Sequence, residues 1–458
     1  MGSQWAPAGH RRAVAALRAR YAVLPPGAPI RLAKQTSNLF RFREPAEDNG
    51  LDVSAFGYVL DIDLETRTAN VGGMTTYERL VEATLAHGLM PLVVPQLKTI
   101  TLGGAVAGLG IESSSFRNGL PHESVLEMEI LTGDGRVVSA TADNEHAALY
   151  HGFPNSYGTL GYATRLRIEL EPVLPYVRIR HLRFDDAKWC ATAIEQICGT
   201  RSFDGRRVDF VDGTVFSADE QYLTLGEFVD VADGEVSDYT GNDIYYRSIQ
   251  AKVQDYLTVH DYLWRWDTDW FWCSRALGAQ SPALRRFWPR QYLRSDVYRR
   301  MVAFDRKHRL SARLGRLIGS SPREPVIQDV EIPVDRLDEF LDFFHTEIGI
   351  SPVWLCPVML RGATTWPLYP MEPVTLYVNV GFWSAVALEP GEEDGTHNRL
   401  IEQKVADLGG HKSLYSTSYY PRDEFWRRYN GDGYRELKRE YDAEGRLPDL
   451  YDKCVRGN

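Results

Sequence analysis

Along the first third of the chain, apolar and polar residues alternate in short runs separated by turn residues. YVLDIDLETRTANVGG (58–73) alternates on both sides of a polar turn, which predicts a hairpin. Thr75 and Thr76 stand before YERLVEATLAHG, whose apolar positions recur at helical spacing up to Gly88, so a capped amphipathic helix is expected. SVLEMEILTGDGRVVSA (124–140) predicts a second hairpin, turning at Asp134-Gly135. A helix around 145–151, the loop FPNSYGTLG and the strand ATRLRIELEP follow. Upstream, PPGAPIRLAKQTSNLF reads as a turn, a short strand and a polar loop, and residues 10–21 as a weakly amphipathic helix. Residues 28–172 therefore predict a β-rich α+β unit with glycine loops.

After Pro172 the pattern changes. Trp264, Trp266, Trp270, Phe271 and Trp272 fall within nine residues. Strand-like stretches (EPVIQDVEIPV, TLYVNVGFW) alternate with helical ones (RLDEFLDFFHTEIG, EFWRRYNGDGYRELKREYDAEG). The boundary is expected near 173–176, between an N-terminal domain (1–174) and a second α+β domain (175–458), and a length of 458 residues suits two cores.

Composition narrows the class. The chain is 44% hydrophobic and 25% charged, as soluble globular proteins are. No apolar run is long enough for a membrane span, and the N-terminus lacks the apolar core of a secretory signal, so a cytoplasmic location is expected. Five cysteines with no CxxC pair suggest reduced thiols rather than a disulfide framework or zinc site. With no HxH or HxxxH pair among the eleven histidines, no metal site is expected. A net charge of −10 argues against a nucleic-acid binder. Yet residues 285–323 hold twelve Lys/Arg against only Asp296 and Asp305, interleaved with Phe, Trp, Tyr and Leu. Such a band is either a solvated face paired with the acidic body or a surface for an anionic membrane.

Candidate chemistry concentrates in PQLKTITLGGAVAGLGIESSSFRNG (95–119). Gly103, Gly104, Gly108, Gly110 and Gly119 are interspersed with Thr99, Thr101, Ser113 and Ser114. Glycines let backbone N–H groups approach a ligand, and runs of them form anion nests suited to a diphosphate. The alternative is a glycine-rich turn packed against a helix. The spacing is neither GxGxxG nor a P-loop, so a Rossmann site is not expected. Two more loops share this chemistry. Arg31 and Lys34 lead into Thr36, Ser37 and Asn38, as an outer diphosphate clamp would, and Ser156, Tyr157, Gly158 and Gly161 form a third loop before a strand.

Together these three loops resemble the flavin-binding domain of the PCMH-type (vanillyl-alcohol-oxidase) superfamily. The resemblance implies an α+β fold in which a PCMH-type FAD-binding domain precedes an α+β substrate (cap) domain. It also implies FAD held by these loops, Ile111 and Glu112 included. Many members tether the flavin through a histidine in the first loop; Lys-Gln-Thr-Ser stands there in this chain, so noncovalent FAD is expected. TLGGAVAGLGIESSSFRNGL, IQDVEIPV, PVWLCPV and LYSTSYYPRDEFWRRYNGDGYRELKREY…LPDLYDKC are similar to the delta-24 sterol reductase branch. Bacterial flavoproteins similar to that branch reduce a 10-methylene fatty acyl group to 10-methyl with NADPH. The resemblance thus implies a lipid substrate at an anionic membrane surface, a peripheral position on its inner face, and a lipid methyltransferase acting upstream. It also implies a C-terminal segment that returns towards the flavin. A sterol reductase, an oxidase or dehydrogenase of a small alcohol or sugar, and a lipid-binding protein without flavin are the alternatives.

An isolated alkene has no carbonyl to polarise it, so its reduction needs a buried acid, an apolar tunnel and a hydride equivalent from reduced flavin. Glu112 is the first candidate acid, unless it only bonds its own loop's backbone. His411, Lys412 and Tyr415 are second candidates, unless they are ordinary surface polarity.

Overall fold

The computed structural model describes residues 7–34, 50–241, 243–308 and 322–456. Two antiparallel sheets divide it at Pro172–Tyr176. The first has six strands: β1 (Val59–Asp63), β2 (Thr68–Gly72), β3 (Leu89–Pro91), β4 (Val125–Leu131), β5 (Val137–Ala140) and β6 (Tyr162–Pro172). Their order is β1-β2-β6-β4-β5, with β3 on the far end of β6. Both predicted hairpins form. β1 pairs with β2 and β4 with β5, the second turning through Gly135 at φ 83°. Helix α1 (Pro7–Ala22) docks through His10, whose Nε2 lies 2.8 Å from Glu129. Thr76 caps α2 (Tyr77–Leu85) by accepting from the Arg79 N–H, as its sequence position predicts. Besides a single turn at Ser115–Asn118, the glycine-rich run contains one short helix, α3 (Leu102–Ala107), capped by Thr101. It can form because Gly103 lies against Gly73: a Cβ on Gly103 would come 2.6 Å from the Gly73 carbonyl oxygen. Helix α4 (Ala147–Gly152) then leads into the third glycine loop.

The second sheet has eight strands: β7 (Tyr176–Phe184), β8 (Phe210–Ser217), β9 (Glu220–Val229), β10 (Gln254–Thr258), β11 (Arg323–Pro333), β12 (Val353–Val358), β13 (Tyr377–Ala387) and β14 (His411–Lys412). They run in the order β10-β7-β9-β8-β12-β13-β11-β14. Period-two alternation gives the sheet two unlike faces. One carries Val211, Leu223, Val330, Val353, Leu355, Val378 and Val380, in one core with helices α5 (Ala187–Thr200), α7 (Leu337–Glu347) and α8 (Thr396–Asp407). The basic helix α6 (Ser295–His308) lies apart from that core. The other face is polar and aromatic. In register across it stand His411, Glu331, Asn379 and Cys356, and on the neighbouring strands Asp212, Thr224 and His181.

The stretch expected as one helical run from Glu424 is two helices, α9 (Arg422–Arg428) and α10 (Gly431–Tyr441). Asn430 breaks it, taking φ 46° and capping the second helix through its side chain. This last segment packs on the first domain: the Ile30 N–H donates to the Arg446 carbonyl, the Asp134 N–H to that of Tyr441, and Lys438 Nζ to that of Thr159.

Candidate active site

A cavity of about 1040 Å³ lies between the two sheets. It stands at the upper end of the roughly 300–1,000 Å³ usual for small-molecule sites, which suits a dinucleotide. One wall is the glycine loop. Thr99, Thr101, Gly103, Gly104, Gly108, Gly110, Ile111 and Glu112 line it, with Arg31 and Lys34 from the first loop and Tyr157, Gly158 and Gly161 from the third. Tyr157 reaches this wall through a strained turn: it and Asn155 take φ 51° and 59°, while the Tyr157 N–H donates to Ala107 at the end of α3.

Four expected binding residues lie elsewhere. The Ser113 hydroxyl meets that of Tyr262 at 3.1 Å, and Ser114 donates to the Leu92 carbonyl at 2.8 Å. Gly119 ends a helical turn at φ 68°, and Ser156 is buried in its own turn. These four shape the loops rather than face the cavity. Thr36, Ser37 and Asn38 lie outside the described residues.

The sequence missed several cavity residues. Gly73, after β2, packs against the Ala163 backbone and borders the cavity beside Gly103. From the returning segment come Arg446, Lys453 and Arg456. Arg446 stacks 4.4 Å from the Tyr21 ring centre and donates from Nε to Ala28, while its buried Nη2 has no acceptor. Lys453 donates to the Tyr157 carbonyl. Across the cavity stands a second wall of Trp270, Phe271, Trp354, Trp383, Asp329 and Tyr415. Trp270 and Phe271 take φ 47° and 60°, a conformation costly for bulky side chains. The crowded aromatics of the sequence thus form a cavity wall with strained backbone.

Glu112 is buried. Its Oε1 accepts from the Gln96 N–H at 2.8 Å and its Oε2 from the Gln96 side-chain amide. Burial pushes its carboxyl well above the usual range, against those bonds and the Arg265 guanidinium. Arg265 is itself buried, 2.9 Å from Asp212. Of the other candidate acids, Tyr415 lines the cavity and accepts from Trp383 Nε1 at 2.8 Å; burial and Asp329 raise its phenol well above the usual value. His411 and Lys412 do not line it. Lys412 is buried 2.8 Å from Glu402, and His411 sits against the rings of Tyr369 and Tyr377, its pKa lowered by burial to about 4. Neither is surface polarity: they form β14 itself, Lys412 pairing with Val330 and His411 with Glu331.

The residues present fit FAD. Two orphaned buried groups, Arg446 Nη2 and the Gln96 amide oxygen, belong to residues that border the cavity. Arg31, Lys34, Arg446 and Lys453 would hold the diphosphate with the α3 loop, leaving the ring towards the aromatic wall.

Known proteins agree with this geometry. A family model described as "FAD binding domain" matches residues 14–141. The chain is 28% identical over 441 aligned positions to the Delta(24)-sterol reductase of Arabidopsis thaliana, covering 89% of this chain and 76% of that one. To the Delta(24)-sterol reductase of Homo sapiens it is 26% identical over 410 positions, covering 87% and 76%. Cytokinin dehydrogenase 6 of Oryza sativa is 32% identical over 146 positions, 32% of this chain and 27% of that one. With an FAD-binding domain of α+β fold and a cavity to match, this is an FAD-dependent oxidoreductase. Over most of its length it is related to the Delta(24)-sterol reductases.

Proposed function

We propose that this protein saturates an isolated carbon–carbon double bond of a lipid, with a 10-methylene fatty acyl group of a phospholipid as substrate and NADPH as reductant. The observation that carries this reading is the layout of the cavity. It runs from the glycine wall to an aromatic wall, and its rim is the start of the basic helix: Ser295, Asp296 and Arg299 line it. An acyl chain can occupy the aromatic end while its anionic head group stays beside α6.

The band around α6 also has the composition of an interfacial surface. Leu284, Phe287, Tyr292, Met301 and Phe304 are exposed, Phe287 to 83%, among exposed Arg286, Arg290 and Arg300. No helix among the described residues is long and apolar enough to cross a membrane. A peripheral position on the cytoplasmic face of an anionic membrane agrees with both observations. The 10-methylene group would be made upstream by a lipid methyltransferase.

The chain's own residues bind, orient and exclude water. The glycine wall and the cations grip the cofactor, and the tryptophans keep the reacting end dry. Reduced FAD supplies the hydride equivalent when bound. The proton comes from a buried acid of the cavity, where Glu112, Tyr415 and Asp329 stand. The sequence has no second dinucleotide fingerprint, so NADPH and lipid would use the open side of the same cavity in turn.

A second reading, reduction of a sterol alkene, is favoured by the identity to sterol reductases along most of the chain. The likeness to a cytokinin dehydrogenase covers only 32% of this chain, against 87–89% for the sterol reductases. Anaerobic incubation with NADPH separates the readings. A gain of two hydrogens in a 10-methylene phospholipid, by mass spectrometry, supports the first. The same gain only in a Δ24 sterol supports the second. Flavin bleached by a small alcohol, with peroxide released in air, defeats both.

A further inference from the structure

We propose that Asp329 is the proton donor of this reduction, with Glu331, two residues along the same strand, staying neutral beside it. The proposal rests on the reading of the protein as an alkene reductase and assigns the acid step within it.

Asp329 lies in the middle of β11 and lines the cavity at the aromatic wall, beside Trp354, Trp383 and Tyr415. Its pair partner on β13 is Gly381, where a Cβ would come 2.5 Å from Asp329 Oδ1. The glycine thus leaves room for the carboxyl, whose Oδ1 is buried without a hydrogen-bond partner. Glu331 points to the same side of the strand, about 6.6 Å along it. It is fully buried, and neither of its oxygens has a partner. An ionised carboxylate buried without a cation is costly, so burial favours the protonated form of both groups.

The groups facing the pair agree. Asn379 and Gly381 on β13, Trp354 and Cys356 on β12, His411 on β14 and Tyr415 beyond it surround it. Burial lifts Asp329 to about 7, opposed in part by Asn379 and Tyr415, and lifts Glu331 well above the usual range, with Asp329 adding to the effect. Asp329 therefore gives up its proton first, and Glu331 stays neutral. The other candidates are worse placed. Both Glu112 oxygens are tied to Gln96, and the Tyr415 phenol is a far weaker acid.

The step balances. The Asp329 O–H bond breaks and its proton joins the less substituted alkene carbon, which uses the π pair to form the C–H bond. The more substituted carbon is left electron-deficient and takes the hydride equivalent that reduced FAD supplies. NADPH is oxidised overall and the alkene reduced. The Asp329 carboxylate recovers a proton from water that enters the cavity once the product has left.

The test uses flavin-loaded wild type, Asp329→Asn, Glu331→Gln and Glu112→Gln. Asp329→Asn should bind flavin and be bleached by NADPH like wild type, yet saturate the 10-methylene phospholipid about 10²–10⁴-fold more slowly, the usual weight of a general acid. Glu331→Gln, which keeps that neighbour neutral, should turn over within a few-fold of wild type. A readout without substrate is the infrared C=O band of a protonated carboxyl in the flavin-free protein. The difference between wild type and Asp329→Asn should contain such a band at about pH 6 and lose it by about pH 9, while the bands of Glu112 and Glu331 cancel. Saturation by Asp329→Asn near the wild-type rate, or a comparable loss in Glu112→Gln alone, would overturn the assignment. A wild type that reduces no lipid alkene brings down the function and the donor role together, whereas an absent band with an active wild type removes only Asp329.

Discussion

The two walls of the cavity are built on opposite principles. The glycine wall binds through backbone: Gly73, Gly103, Gly104 and Gly108 bring main chain close, and cations at the margin add charge. The sheet wall works through side chains, with tryptophans around carboxyls that face no cation of their own. One wall is made to hold an anion, the other to keep acids neutral. A cavity with such ends gives its ligand a direction, diphosphate to one side and apolar substrate to the other.

The largest effect expected from breaking this contrast is at Gly104. A Cβ there meets only the Thr101 hydroxyl, at 2.8 Å, so Gly104→Val should fold yet bring its methyls into the cavity and release the flavin. Gly103→Ala, pressed against backbone, should instead destabilise the first domain. Absorbance of the purified proteins and thermal melts separate the two. In wild type, acid precipitation should leave the yellow colour in the supernatant, because no histidine stands in Lys34-Gln-Thr-Ser to tether the ring.

Next in size is Lys412, packed behind the sheet wall against Glu402. Lys412→Met leaves a buried carboxylate unpaired and should cost about 3–5 kcal/mol of stability, read by denaturant melts. A variant of unchanged stability with lost turnover would return Lys412 to the chemistry.

Asp329 should also make stability depend on pH. Its carboxyl titrates near 7 in the folded protein, well above the 3.8 of an ordinary aspartate. Between those values the folded chain holds a proton that the unfolded chain does not, so wild-type stability falls as pH rises through the window. Asp329→Asn escapes that loss. Its advantage in the flavin-free protein should grow between about pH 4 and pH 7, by up to about 4 kcal/mol. A pH-independent difference would mean that the carboxyl is ionised throughout.

The smallest effect belongs to the rim. Arg286→Glu with Arg300→Glu should weaken sedimentation with anionic vesicles by about a decade or more, at roughly 1 kcal/mol for each basic residue lost. Saturation of a detergent-dispersed substrate should be untouched. Equal sedimentation would make the band a solvated face.

How much of this the sequence disclosed follows the same division. The glycine wall was largely legible, because the need for backbone access selects a residue type that shows in the sequence. Both hairpins, the Thr76 cap and the Asp134-Gly135 turn follow from local patterns. Ser113, Ser114, Gly119 and Ser156 have the composition of a binding loop but serve its internal bonding, a difference that only geometry reveals. The sheet wall was not legible. Asp329-Val330-Glu331-Ile332 alternates like any strand with one solvated face, and period-two patterning says which residues share a face but not what covers it. Arg446 and Lys453 were equally hidden, since their partners lie hundreds of residues away.

That last distance bears on how the protein is made. Ile30, Asp134, Tyr157 and Thr159 leave the ribosome early, but the groups that meet them are Arg446, Tyr441, Lys453 and Lys438. Domains generally fold as they emerge, N-terminal first. The first domain can therefore collapse while one side of its cofactor cavity is still untranslated. Capture of the flavin then becomes one of the last events in the birth of the enzyme, and a nascent chain arrested before α10 would be folded in part and colourless.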